Sequence, residues 1–328
     1  MAILGIIANP ASGKDIRRLV AHGSVFDNQE KVRIVRRILL GLTEMGVDRI
    51  CYMPDCYGIV DRAVAEIEID VDVFPVDLFP TGEQEDSTKA ARIMQREGAG
   101  CIVVLGGDGT NRAVAKANGT VPILPVSTGT NNVFPFMVEE TIAGMAAGLV
   151  AGDRVPLEEC TFRSTKIEVL VNGKEVDLAL VDVVVYDDVF TGAKAIWDMG
   201  RVSQIFLNRA SADSIGLSSI GGQIHCIGPE EPKALYLELG KTGQPVLAAV
   251  APGIIERLFV SHQRVIETGE EVEVASSPCV LGLDGERDLE VEPESRTTMR
   301  VVEDGPRVVD VGWTMRAAVK RGVFTSSG

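Results

Sequence analysis

The first 150 residues alternate between short apolar runs and amphipathic stretches, and no other feature restricts the fold of this chain as much. Residues 2–8 are continuously apolar, and residues 29–45 then set Val32, Val35, Ile38, Leu42 and Met45 on one helical face. The step recurs with residues 50–53 before a helix over 59–67, residues 71–76 before 87–96, and residues 101–105 before 111–118. A fifth strand over 123–126 and a helix over 139–150 complete the series. Strands that are apolar on both faces and separated by helices predict a parallel sheet covered by helices. Its ligand-binding loops should lie at the carboxyl ends of the strands.

From Phe162 the pattern changes to short β-prone stretches (166–171, 176–185, 234–239, 246–250, 271–274 and 298–302) punctuated by Gly, Asn and Pro. The expected fold class is therefore α/β, an N-terminal parallel-sheet α/β domain followed by an all-β domain. With 328 residues there is enough chain for two cores. The expected domains are residues 1–155 and 156–328, divided where Gly, Asp and Pro interrupt the periodicity over 152–159, and residues 313–328 are able to pack back on the first.

Charge narrows the choice of partners. Thirty-two Lys and Arg against forty-seven Asp and Glu give a net charge of -15, which repels nucleic-acid backbones and anionic membranes. The reading is no nucleic acid and no membrane, and homo-oligomerisation stays open. A phosphorylated ligand would have to be held by backbone donors, a few basic side chains and a divalent cation. The six cysteines form no C-x-x-C pair and there are three histidines without zinc-ligand spacing, so reduced, buried thiols are expected. The apolar start is short, lacks a basic flank and runs into Asn9-Pro10, and no apolar run reaches membrane-spanning length. These features predict a cytoplasmic protein.

Three loops after predicted strands could do chemistry. Gly106-Gly107-Asp108-Gly109-Thr110 follows the strand over 101–105 and opens a helix. Its glycines suit a backbone that turns with positive φ and approaches a ligand, and the helix start offers free N–H groups to phosphate oxygens. A carboxylate inside such a cradle suits holding Mg²⁺ or accepting the proton of an attacking hydroxyl, which makes Asp108 the leading catalytic and metal candidate. The bland alternative is a tight turn with Asp108 capping its helix. Asn9, Ser12, Gly13 and Lys14 follow the first strand, with no Walker A spacing, and Thr128, Gly129, Thr130, Asn131 and Asn132 follow the fifth. Each of these two loops could be ordinary turn chemistry. All three open on one sheet edge.

Taken together these residues resemble the NAD kinase and diacylglycerol kinase superfamily, whose members share a G-G-D-G-T loop between an α/β domain and a β-sandwich domain. Asn9-Pro10-Ala11-Ser12-Gly13 resembles the lipid-kinase N-P-x-S-G loop, and Gly129-Thr130-Asn131-Asn132 their G-T-x-N, with Val133 where Asp is usual. Asp284-Gly285-Glu286, expected on a β-turn after residues 279–283, is similar to the late D-G-E or D-G-x. Residues 179–184 resemble the strand that carries the Asn-Glu dinucleotide pair of NAD kinases, with Val181 for the Asn and Asp182 for the Glu. Asp182 could equally be an edge-strand residue facing solvent. Ser219-Ile220-Gly221-Gly222 resembles the end of a Ser/Thr/Tyr-rich stretch, with Gly216 where Tyr is expected. The whole pattern, including residues 187–198, most resembles the acetoin-catabolism X protein branch, AcoX-type ATP-NAD kinase-like proteins.

The resemblance implies a kinase that uses ATP and Mg²⁺, binds a nucleotide, and transfers a phosphoryl group to a hydroxyl of NAD or a related small metabolite. Asp108, Asp284 and Glu286 would be catalytic. Asn9, Ser12, Gly13, Lys14, Gly106, Gly107, Gly109, Thr110, Thr128, Gly129, Thr130, Asn131, Asn132 and Asp182 would bind the cofactor, and Asp108 the metal. A nucleotide-binding regulator without turnover is the rival reading, because the departures at Val133, Val181 and Gly216 remove expected contacts. A lipid-type kinase is the third, and the net charge of -15 disfavours it.

Overall fold

A computed structural model describes residues 2–13, 22–23, 26–129, 131–187, 198–275 and 278–325, without the side chains of residues 287 and 288. The expectations placed on Lys14, Thr130 and residues 188–197 lie outside the described residues.

The first half runs β1 (Ile3–Ala8), α1 (Asn28–Thr43), β2 (Arg49–Tyr52), α2 (Ile59–Val64), β3 (Asp72–Pro75), α3 (Glu85–Arg96), β4 (Cys101–Gly106), α4 (Asp108–Ala115), β5 (Ile123–Ser127) and α5 (Glu140–Ala151), as the periodicity predicts. The five strands are parallel and ordered β3-β2-β1-β4-β5. Strand order therefore reverses between β1 and β4, and the loops leaving their carboxyl ends diverge around a crevice there. α1 begins where the Asp27 side chain accepts from the amide of Glu30. Its Val32, Val35, Ile38 and Leu42 are fully buried, each contributing about 1.5–3 kcal/mol by leaving water. α1 and α5 approach backbone to backbone. A Cβ on Gly41 would lie 2.3 Å from the Thr141 carbonyl oxygen, and one on Gly144 2.3 Å from that of Ile38.

After a short α6 (Leu157–Cys160), the second half runs through β6 (Thr161–Arg163), β7 (Lys166–Val171), β8 (Lys174–Ala179), β9 (Asp182–Tyr186), β10 (Val202–Leu207), α7 (Leu217–Gly222), β11 (Lys233–Gly240), β12 (Gln244–Ala251), β13 (Ile254–Glu267), β14 (Val272–Glu273), β15 (Cys279–Leu283), β16 (Glu286–Val291), β17 (Thr297–Val302), β18 (Arg307–Val309) and α8 (Val311–Lys320). Two antiparallel sheets, β12-β13-β11-β10-β9-β15-β16 and β14-β17-β7-β8, pack face to face over Ile167, Val169, Val183, Val185, Phe206, Leu281 and Met299. α7 covers the other face of the larger sheet through Leu217 and Ile220. β18 pairs in parallel with β5 and antiparallel with β6, which adds both to the first sheet, and Ala317 and Ala318 of α8 join the core beneath it.

Two expectations are corrected. The stretch over 176–185 is not one strand: β8 ends at Ala179, β9 begins at Asp182, and they belong to different sheets. The break has a physical cause, because the amides of Leu180 and Val181 donate to the Asp284 carboxylate instead of to a strand ladder. The cysteines are all free, but only four are buried, since Cys56 and Cys226 lie in exposed connections outside both cores.

Candidate active site

The loop after β1 is folded around a lysine. Lys31 of α1 is 0% exposed, and its Nζ donates to the carbonyl oxygens of Asn9 at 2.9 Å, Ser12 at 2.8 Å and Pro10 at 3.3 Å. Those carbonyls are thereby turned inward onto a buried charge. Side chains of the same loop link it to its neighbours. Asn9 Nδ2 donates to Thr110 Oγ1 at 2.9 Å, and Ser12 Oγ lies 3.0 Å from Thr128 Oγ1. The three loops predicted from sequence are thus one hydrogen-bonded unit at the strand ends.

The Gly106–Thr110 turn is built for close approach and not for left-handed backbone. None of Gly106, Gly107 and Gly109 has positive φ, contrary to expectation. A Cβ on Gly106 would lie 2.5 Å from Thr110 Cβ, and one on Gly107 2.6 Å from Asn132 Oδ1, so contact and not turn geometry is what a side chain meets here, and one at Gly107 must displace the Asn132 amide. Asp108 opens α4 without capping it. Its Oδ1 accepts from the amides of Val133 at 3.0 Å and Phe134 at 2.7 Å, fastening the third loop to the second.

The second half contributes a hairpin tip. Asp284 and Gly285 connect β15 to β16 with φ of 53° and 77°, the two positive values of a two-residue I′ turn, as the tripeptide predicts. Asp284 Oδ1 accepts from the amides of Leu180 at 3.0 Å, Val181 at 2.8 Å and Asp182 at 3.3 Å. Burial pushes the Asp284 carboxyl up to about 7, against the pull of Arg112 and with the push of Asp108. Arg209 lies 4.1 Å over the Phe134 ring and donates to Ser164 Oγ at 2.9 Å. Burial lowers its guanidinium to about 10, opposed by the charges of Asp108 and Asp284.

These parts enclose a cleft of about 240 Å³. Of the predicted residues it gathers Asn9, Ser12, Gly13, Gly107, Asp108, Gly109, Thr110, Asn132, Asp284 and Glu286. Gly106, Thr128 and Gly129 are not on its wall, although Thr128 and Gly129 support it through Ser12 and Asn132. Asp108 and Asp284 also border a smaller cavity of about 30 Å³ with Asn131, Asp182, Gly216 and the apolar Val133, Met199, Ile215, Leu217 and Val250. Asp182 does not face solvent. It starts an interior strand, is buried, and its Oδ1 accepts from the Gly285 amide at 3.2 Å. Val181 is fully buried in the core.

The larger cleft carries Glu83, Asp108, Asp284 and Glu286, with no Lys or Arg among its described lining residues. A cation would offset the repulsion between these four carboxylates and a polyphosphate. Among the described residues no three His, Cys, Asp or Glu side chains form a ready metal cage. Mg²⁺ ordinarily takes one or two carboxylates together with substrate phosphates, and this donor set fits that mode with Asp108 as the protein ligand.

Sequence reasoning missed four residues here. Lys31 had a visible signal, since it shares the buried helical face of Val35, Ile38 and Leu42. Gln84, whose Nε2 donates to the Gly109 carbonyl at 2.7 Å, had none. Nor did Arg112 and Arg209, because both are defined by carboxylates and rings distant in sequence.

The chain is similar to known proteins along its whole length. The ATP-NAD kinase N-terminal domain family matches residues 4–154, and the acetoin catabolism protein X C-terminal domain family matches residues 165–304. Acetoin catabolism protein X of Cupriavidus necator is 35% identical over 338 residues, covering 99% of this chain and 94% of that protein. Among solved structures, yeast NADH kinase complexed with NADH is similar with 13% identity and a TM-score of 0.49, covering 100% of this chain and 89% of that one. An NAD kinase from Archaeoglobus fulgidus in complex with ATP is similar with 17% identity and a TM-score of 0.45, covering 85% and 99%.

Proposed function

The chain belongs to the family of acetoin catabolism protein X, and from that premise we propose that it is an ATP-dependent phosphotransferase acting on the hydroxyl of a small metabolite. The observation that carries this reading is that Asp108 and Asp284, from the two halves of the molecule, line one cleft with the Gly107–Thr110 helix start. The match of residues 4–154 to the ATP-NAD kinase N-terminal domain supports it.

In this reading the amides at the start of α4 and the side chains of Asn9, Ser12 and Asn132 bind the phosphates of ATP. Asp108 would hold Mg²⁺, which neutralises phosphate charge when bound. Asp284 accepts the proton of the acceptor hydroxyl as the acceptor oxygen attacks the terminal phosphorus of ATP, the bond from that phosphorus to the bridging oxygen breaks, and ADP leaves. A carboxyl raised to about 7 is matched to proton transfer near neutral pH. Glu286, close to Gly109, bounds the same space and orients the acceptor. Phosphoryl transfer asks chiefly for positioning and charge stabilisation, which these groups supply. Val181 and Gly216, which lack the amide and the aromatic ring a dinucleotide would meet, favour another small hydroxyl acceptor over NAD.

Asp108 favours a second reading as well. Its carboxylate is engaged by two backbone amides, so it would serve equally in a nucleotide-binding regulator without turnover. Incubation with Mg-ATP and a panel of hydroxyl acceptors separates the two. New phosphorylated product is expected, and MgATP binding without product from any acceptor would leave the regulator.

A further inference from the structure

Arg112 has no place in the binding scheme above, yet it is 1% exposed between two carboxylates of the other half of the molecule. Its Nε stands 3.7 Å from Asp284 Oδ2 and its Nη1 3.6 Å from Asp177 Oδ2. Asp177 on β8 is held in turn by Lys116 Nζ, 2.7 Å from Oδ1. A row of alternating charge, Lys116, Asp177, Arg112, Asp284, thus runs inward from α4 and β8 to the cleft, with exposure falling from 34% at Lys116 to 0% at Asp284.

The two oxygens of Asp284 are not equivalent. Oδ1 accepts from three amides, more than its two lone pairs can serve well, whereas Oδ2, among the described residues, accepts from Leu180 at 3.1 Å and faces Arg112. Oδ2 is the oxygen that retains accepting capacity. A carboxylate this deep needs a fixed positive partner to stay charged, and the other charges around it, Asp108, Asp182 and Arg209, leave a net negative charge that does not supply one. Arg112 is the partner in ion-pair contact, and the Lys116–Asp177 pair keeps its guanidinium in place.

We infer that Arg112 is a positioning residue for Asp284, fixing Oδ2 as the oxygen that accepts a proton and supplying the charge that this oxygen faces. Its catalytic meaning rests on the phosphotransferase reading, whereas the relationship between the two side chains does not. The test is a carboxyl carbon-13 NMR titration of the full chain without ligands, with the Asp284 resonance assigned by its loss in Asp284→Asn. Arg112→Met should raise the Asp284 midpoint by about one to three pH units, and Arg112→Lys, which keeps charge but not the planar fork, by less. A midpoint unmoved in Arg112→Met overturns the inference. Should the Met variant not fold, Arg112→Lys decides alone, and an unmoved midpoint there overturns it too. Calorimetry of MgATP with the unmodified protein stands apart: absence of binding would defeat the phosphotransferase reading and leave the NMR result intact.

Discussion

The ammonium of Lys31 lies 2.9 Å from the carbonyl oxygen of Asn9 and is completely buried, so one helix residue sets the course of the loop after β1. Lys31→Met keeps the length of the side chain and removes the donor, leaving loop carbonyls unsatisfied. A stability loss of about 1–3 kcal/mol is expected in urea unfolding, with weaker MgATP binding by calorimetry. Unchanged MgATP affinity would show that the loop does not bind nucleotide.

Asp284→Asn and Asp108→Asn should separate chemistry from assembly. Asparagine at 284 cannot take the acceptor proton, and turnover should fall by about two to four decades while MgATP still binds. Asparagine at 108 loses the charge offered to Mg²⁺ and weakens the anchorage of Val133 and Phe134. Both MgATP affinity and turnover should drop there. Near-normal turnover in Asp284→Asn would return the proton-accepting role to Asp108.

Asp284 also predicts a pH dependence of stability. An acid held at about 7 in the folded state and near its ordinary range when unfolded keeps a proton on folding between those values, so stability falls as pH rises from about 4 to 7 and is level above. Relative to Asp284→Asn, the unmodified protein should lose about 2–4 kcal/mol across that window. Parallel urea curves at pH 4.5, 6 and 7.5 measure it, and a constant difference between the two proteins would refute it.

Gly107→Ala places a methyl group 2.6 Å from Asn132 Oδ1. Asn132 holds the third loop through Ser127 Oγ at 2.9 Å, so the displacement should loosen that loop. MgATP affinity should fall about tenfold or more, equivalent to about 1.4 kcal/mol, with unfolding little changed. Wild-type affinity in this variant would remove Asn132 from the site.

NAD should be a poor acceptor. Val181 is buried where the family resemblance would bring an amide to the ligand, and Gly216 offers no aromatic ring. Losing one hydrogen bond and one stacking partner weakens binding by about one to three decades. Product assays comparing NAD with short neutral diols and polyols test this, and NAD turned over at the affinity of a dedicated NAD kinase would contradict it.

Much of this architecture was written in local pattern. Short continuous apolar runs marked β1 to β5 and a 3.6-residue period marked their helices, because a strand covered on both faces is apolar throughout and a helix buries one stripe. Gly106 to Thr110 and the Asp284-Gly285 turn were readable for a similar reason, since steric demands at a tight approach or a positive φ act on the residues themselves. The order β3-β2-β1-β4-β5, which opens the crevice, was decided by packing. So was the break after Ala179, where a carboxylate more than a hundred positions away takes the amides that a longer strand would have used. Lys31 was marked by its place on the apolar face of α1, but burial of Arg112 and Arg209 was beyond the reach of sequence. A charge is stable inside a protein only where its partners converge on it, and that convergence exists only in the folded chain.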